Sequence, residues 1–484
     1  IDPHDGTWAE RTVGWPRSLS TSTSPALLTN NVVDVGAGFA QQPASDPRTG
    51  GGMPTFAVAY GTGTVAISVL KDDGALFSAS SGSDIGTITG FLRGYVLHNQ
   101  APKDVRALKI STITADFSFA AGENFLRSFD GTAGAYNPSD VVAMDVAEDG
   151  AFAVATADYA MLGINAAVET SVDVLHARVT RTINTGMMLT GTVLAALANH
   201  VTDDNSYSNN DLTETGTITE AVVETGAELK AYSGFSSVNY LRRAYDADFD
   251  VTPFSAAFWM KSAGNAGTEY FFHRARPTPG TNPQYRCKFI PDGTIEFAQQ
   301  STVTDTATSA SVYDDGKWHF VVCRKGTTND DIFQLWVDGV LDGEDTTMNL
   351  GGSLTDTSAT LSIGIDSDGS NAAVNVEMSM LRVSTGTISE AQIRAMYEAE
   401  KGMFVASAKC LLQSGSTDAV LDVSVDPITG KVAVTQTDAA MIFDGLVVES
   451  EPAIATGGST LEHLKTYGDD LVQINDANLY TTIV

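Results

Sequence analysis

The chain repeats itself at an offset of 280 residues. The stretch Gly150-Ala-Phe-Ala-Val-Ala-Thr-Ala-Asp158-Tyr-Ala160-Met161-Leu162 aligns with Gly430-Lys-Val-Ala-Val-Thr-Gln-Thr-Asp438-Ala-Ala440-Met441-Ile442, and six positions are identical. Each copy follows an alternating apolar segment, Val141–Val146 or Val420–Val425, that runs into an acidic turn. The unit therefore reads strand, Asp/Gly turn, strand, polar turn, strand. So small a sheet cannot bury its own faces, and a repeated one must stack on its neighbours. Looser copies lie at 55–74, at 104–131 and at 471–484.

This unit resembles a β-propeller blade, above all in the ending Phe443-Asp444-Gly445, which recurs as Phe129-Asp130-Gly131. The resemblance implies a propeller-like scaffold in two parts, 31–194 and 404–484, after an extended Ser/Thr-rich segment, 1–30. Composition agrees: 44 glycines, with abundant Thr, Ser and Val, favour strands over helices.

Between the two best copies the sequence changes character. Asp314–Leu341 reads as two strands ending in tight turns, with Trp318-His319 opening one and Trp336-Val-Asp338-Gly339 closing the other. Upstream lie an Asn-rich opening from Thr202 and the strand Pro253-Phe-Ser-Ala-Ala-Phe-Trp259-Met-Lys261. Downstream lie Leu361-Ser-Ile-Gly364 and Met380-Leu-Arg-Val383. In this order and spacing the motifs resemble laminin-G-like, concanavalin-type jelly rolls over 195–403. The expected fold is thus all-β: a β-propeller-like scaffold with an inserted antiparallel β-sandwich. Trp259 and Trp336 belong to its core strands. A helix should follow the last strand, capped by Ser389 with Gln392 as a capping box, closed by Lys401 and stopped by Gly402. Ile393, Met396 and Tyr397 share its apolar face.

Net charge is −31, from 28 basic and 59 acidic residues, and disfavours nucleic acid and anionic lipid. No apolar run is long enough to span a bilayer. The three cysteines, Cys287, Cys323 and Cys410, have neither metal-ligand spacing nor close pairing, which points to assembly in a reducing compartment. Concanavalin-type sandwiches also host glycosidases, whose two carboxylates stand about 5 Å apart in retaining enzymes. The family's Glu-x-Asp-x-x-Glu and Glu-x-Asp-x-Glu motifs are missing from the sequence, and Glu296 and Glu377 each stand alone. The seven histidines are dispersed, and His319 is expected to be structural. Calcium is the one expected cofactor, because laminin-G-like domains often hold it at a loop rim. Asp366, Asp368 and Asn371 supply clustered oxygens in a Gly-containing turn. Asn329-Asp330-Asp331 is a weaker candidate. Tyr232, Tyr240, Tyr245 and Tyr285 are the aromatics available for stacking on a sugar, or for the core.

These features point away from catalysis. The resemblance extends to jelly-roll insertions on tail proteins of short-tailed phages. It implies a non-enzymatic virion protein of a tail or fibre, displaying a lectin-like domain for host-surface or glycan recognition and assembling as a symmetric homo-oligomer with neighbouring virion proteins. The alternative is a bacterial secreted or cell-surface glycan-binding adhesin. A polysaccharide-degrading enzyme would need clustered acids that the sequence does not supply.

Overall fold

In the computed structural model the chain is built of strands, nearly all paired antiparallel, with one α-helix, Glu390–Glu400, among the described residues. The structure describes most of 141–452 apart from short turns and loops, and chiefly strand segments within 32–126 and 463–483. The segment 1–30, Asn329-Asp330-Asp331 and the Phe129-Asp130-Gly131 ending lie outside the described residues.

Both repeat copies form the same meander. Val141–Val146, Phe152–Thr156 and Ala160–Ile164 pair in sequence, as do Val420–Val425, Val432–Gln436 and Ala440–Asp444. The register matches too: Met144, Val154 and Met161 line up across one sheet, and Val423, Val434 and Met441 across the other. The first strands of the two sheets lie side by side, and the Asp145 carboxylate accepts from Ser424 Oγ at 3.1 Å and Val425 N at 3.0 Å. Three further small sheets join this series through their own first strands. The neighbours run Val32–Gly38, Ile88–Leu92, Val141–Val146, Val420–Val425 and His463–Tyr467.

The middle of the chain is a sandwich. The eight-stranded inner sheet centres on Val376–Ser384, Phe254–Ser262, Trp318–Lys325 and Phe333–Val337. The seven-stranded outer sheet includes Tyr240–Arg243, Thr360–Ile363, Glu269–Ala275, Tyr285–Phe289 and Ile295–Gln300. Side chains alternate between faces along a strand, so Tyr285, Cys287 and Phe289 enter the sandwich while Arg286 and Lys288 point away. The core between the sheets is aromatic: Phe258 packs on Phe271 at 5.3 Å, and Phe297 stacks on Phe333 at 4.4 Å. Cys287 and Cys323 meet there, one from each sheet, as free thiols, and burial together with the hydrogen bond to Cys323 pushes the Cys287 thiol up. All three cysteines are free, and their spacing does not reveal that two of them meet, because the two strands are remote in sequence and opposed in space.

The inner sheet's other face carries Trp259, Phe320, Val322 and Trp336, and it packs against the helix and both repeat sheets in a second core. Ser389 and Gln392 form the capping box, and Ile393 and Met396 are buried. Gly402 does not stop the helix. The helix ends at Glu400 and tightens into a 3-10 turn, Lys401–Phe404. What needs a glycine there is packing, since a Cβ at 402 would lie 2.9 Å from Val447 Cγ2. Gly445, at φ +59°, brings the Asp444-Gly445 turn against the helix, and Leu446 N donates to Ala399 O at 3.1 Å.

One buried cluster ties the three parts together. Glu400, fully buried, accepts from Arg382 at 2.5 and 3.1 Å, from Trp259 Nε1 at 2.6 Å and from Met187 N at 2.7 Å. The Trp259 ring also stacks on Phe404 at 4.1 Å. At the base of the sandwich, Thr192–Ala196 pairs with Val376–Ser384, so Thr192 faces Ser384 with their hydroxyls 2.9 Å apart. The Asn-rich opening folds onto this strand. Buried Asp204 accepts from Ala195 N, Ser206 N and Asn210 N, while Asn210 Nδ2 donates to Val193 O.

Candidate functional site

With the inner sheet covered by helix and scaffold, the face left for a ligand is the outward side of the outer sheet. Four strands place one row across it. Arg242 stands opposite Ser362, Ser362 opposite His273, and His273 opposite Arg286. A second row sets Tyr270 opposite Lys288 and Lys288 opposite Glu296. Strands are about 4.8 Å apart, so the first row spans about 14 Å from Arg242 to Arg286.

Each polar group here has a defined state. Arg242 donates to Ser362 Oγ at 3.1 Å and Ser367 O at 2.8 Å, and lies 4.6 Å over the Tyr240 ring. Arg286 and Lys288 both rest on a single oxygen of Glu296, at 3.3 and 3.2 Å. Lys288 also lies 5.5 Å from the centre of Tyr270. His273 Nδ1 accepts from Ser367 N at 2.9 Å, which puts the ring proton on Nε2, and that atom has no hydrogen-bond partner among the described residues. Burial, reinforced by the positive charge of Arg286, pushes the His273 pKa down to about 3, so the ring is neutral.

The residues expected for calcium border this face. Asp366, Asp368 and Asn371 come together in one turn that closes on itself. Asp366 is buried and accepts from Ser370 N at 2.7 Å and Asn371 Nδ2 at 2.5 Å, and its own N–H donates to Asn371 O at 3.2 Å. Burial pushes the Asp366 carboxyl up against the pull of these bonds. Asp368 is desolvated too, yet hydrogen bonds from Ser370 and Asp366 hold it below the usual range. Among the described residues no group of three or more His, Cys, Asp or Glu side chains is placed to hold a metal.

The remaining candidates divide. Tyr232 and Tyr285 are buried, Tyr245 donates to Asp250 at 2.8 Å, and Tyr240 lies on the outer face. His319 is structural: it sits between Asp338 at 2.8 Å and Asp315 at 3.0 Å. Glu296 is a counter-ion to two cations rather than an isolated acid. Arg242, Tyr270, His273, Arg286 and Lys288 were not picked out from the sequence. The available signal was the alternation of Tyr285-Arg286-Cys287-Lys288-Phe289, which aims both cations away from the core. On the opposite side, a cleft of about 800 Å³ runs between helix and scaffold, with alanines and glycines at its walls beside the charged Glu398, Lys401, Asp444 and Glu449 and with no aromatic ring among its lining residues.

No curated protein matches the chain in sequence. Similar solved structures include domain 4 of an extracellular arabinanase from Geobacillus stearothermophilus in complex with arabinotriose, at 17% identity over 40% of this chain and 92% of that one, with a TM-score of 0.32. The botulinum neurotoxin serotype D ligand binding domain in complex with N-acetylneuraminic acid is 11% identical over 58% and 69%, with a TM-score of 0.33. A Trypanosoma rangeli sialidase is 11% identical over 72% and 69%, with a TM-score of 0.34. Residues 235–394 match the family model described as the concanavalin A-like lectin/glucanases superfamily. The chain carries a concanavalin A-like lectin/glucanase domain in its sandwich.

Proposed function

We propose that the protein is a non-enzymatic recognition subunit of a bacteriophage tail or fibre, which binds surface glycans through the outward face of its sandwich. The observation behind this reading is how the sandwich is mounted. Its inner sheet is locked to helix and scaffold through Glu400, and its outer sheet presents tyrosines and hydrogen-bonding side chains. Rings with a few convergent polar groups are what a saccharide needs. The serial first strands of the small sheets support a propeller-like scaffold, and a subunit of this kind works as a symmetric homo-oligomer within the virion. Calcium belongs to the reading at the Asp366 turn, where Asp366, Asp368 and Asn371 would supply oxygens once the Asn371 amide lets go of Asp366.

The test pairs light scattering with a glycan array, both on the full chain. A closed oligomer that binds glycans supports the reading, whereas a glycan-binding monomer transfers it to a secreted or cell-surface adhesin. Failure to bind any glycan removes the recognition role. Calcium should raise the melting temperature of the wild type but not of Asp366→Asn, and an unchanged wild type removes the ion.

A further inference from the structure

We infer that the glycan taken by the outer face is an acidic sugar, whose anionic group completes the Arg286–Lys288–His273 cluster. This rests on the glycan-binding reading above and names its ligand class.

The first argument is charge. In a chain of net charge −31, Arg286 and Lys288 share one oxygen of Glu296, and the side chains of all three are only 14–16% exposed. One carboxylate against two shielded cations leaves a positive charge unmatched in poor solvent, where the attraction for a further anion is strong. Elsewhere on this face the charge of Asp368, which acts on His273, is offset by that of Arg242, whose hydrogen bonds go to neutral oxygens, and Asp366 shares a hydrogen bond with Asp368 inside their own turn. The second argument is independent of charge. His273 is 9% exposed and fixed through Nδ1, and it carries a buried Nε2–H with no acceptor among the described residues. A buried donor left unmet is costly, and an anionic oxygen beside Arg286 would satisfy it. The Tyr270 ring lies 4.9 Å from the imidazole, tilted by 36°. It is placed to turn aside and pack on the sugar that brings the oxygen. A single carboxylate or sulfate on a pyranose ring matches one surplus cation and one N–H donor.

The experiment measures binding of three hexasaccharides to the full chain by calorimetry: an oligogalacturonate, its carboxyl-reduced neutral counterpart and a sulfated galactan fragment. The expected result is binding of one or both acidic probes, with the neutral one at least tenfold weaker. Binding of both would place the specificity in charge, and of one in the geometry of that group. Lys288→Gln should weaken the acidic probe about fivefold to tenfold without changing the melting temperature by more than a few degrees. Glu296→Gln raises the surplus charge, so it should tighten the acidic probe by a similar factor even if the first variant folds poorly. Equal affinity for acidic and neutral probes, or no response to Glu296→Gln, overturns the inference and leaves glycan binding standing. If no probe binds and a neutral glycan array is also blank, both fall.

Discussion

The buried Glu400 cluster gives the sharpest test of how the sandwich is held. Glu400→Leu would leave the Arg382 guanidinium, itself buried, without a counter-ion. Removing one partner of a buried pair costs about 3–5 kcal/mol. The N–H groups of Trp259 and Met187 would also lose their acceptor, at about 1 kcal/mol each. The expected loss is about 5–7 kcal/mol. Adding Arg382→Met removes the stranded charge and leaves only the two unmet donors, so the double variant should lose about 2 kcal/mol. Urea unfolding, followed by circular dichroism and tryptophan emission together, measures all three proteins and tests whether the domains melt as one unit. A double variant as unstable as Glu400→Leu, or a single variant losing under about 1 kcal/mol, would refute the assignment of this cluster as the tie between sandwich and scaffold.

Other outcomes follow from the same geometry. The three cysteines are buried, and burial pushes the Cys287 and Cys410 thiols up, so Ellman's reagent should label none within minutes in buffer and all three in denaturant. The His319 pKa is raised: burial works to lower it, but Asp338 and Asp315 prevail. Its contribution is therefore complete below the unfolded value near 6.5 and lost as pH rises through the higher folded one. Melting temperature should fall across that window in the wild type and less in His319→Gln. His176 and His273, held by burial near 4 and 3, act oppositely and should erode stability as pH falls below 6.5. Gly445→Ala would force φ +59° on an alanine and set its Cβ 3.0 Å from Ala399. It should cost about 1–3 kcal/mol and hasten proteolysis next to the helix.

Much of the fold could be read along the chain because its signals are local. The repeat fixes two meanders, the Trp259 and Trp336 strands show their alternation, and Ser389 with Gln392 marks the helix start. The site could not be read this way, because Arg242, His273 and Arg286 come into one row only when four strands pair. Glu400 is intermediate. It follows Ile393, Met396 and Tyr397 at helical spacing, so its place on the apolar face was legible. Its partners were not, since Met187 and Trp259 lie 213 and 141 residues away. Gly402 was read as a stop signal, and close packing against Val447 accounts for it instead.

The pairing of Thr192 with Ser384 also bears on how the chain folds. Asp145 and Ser424 are 279 residues apart, a long loop to close before the two repeat sheets can meet. Once the sandwich has formed, its two ends are clamped together, and the free chain between the sheets shrinks to about 90 residues. The closure entropy then falls by about 1 kcal/mol, close to a fivefold gain in the chance of encounter. A sandwich that folds first acts as a splint, and the scaffold flanking it assembles nearly as though the insertion were absent.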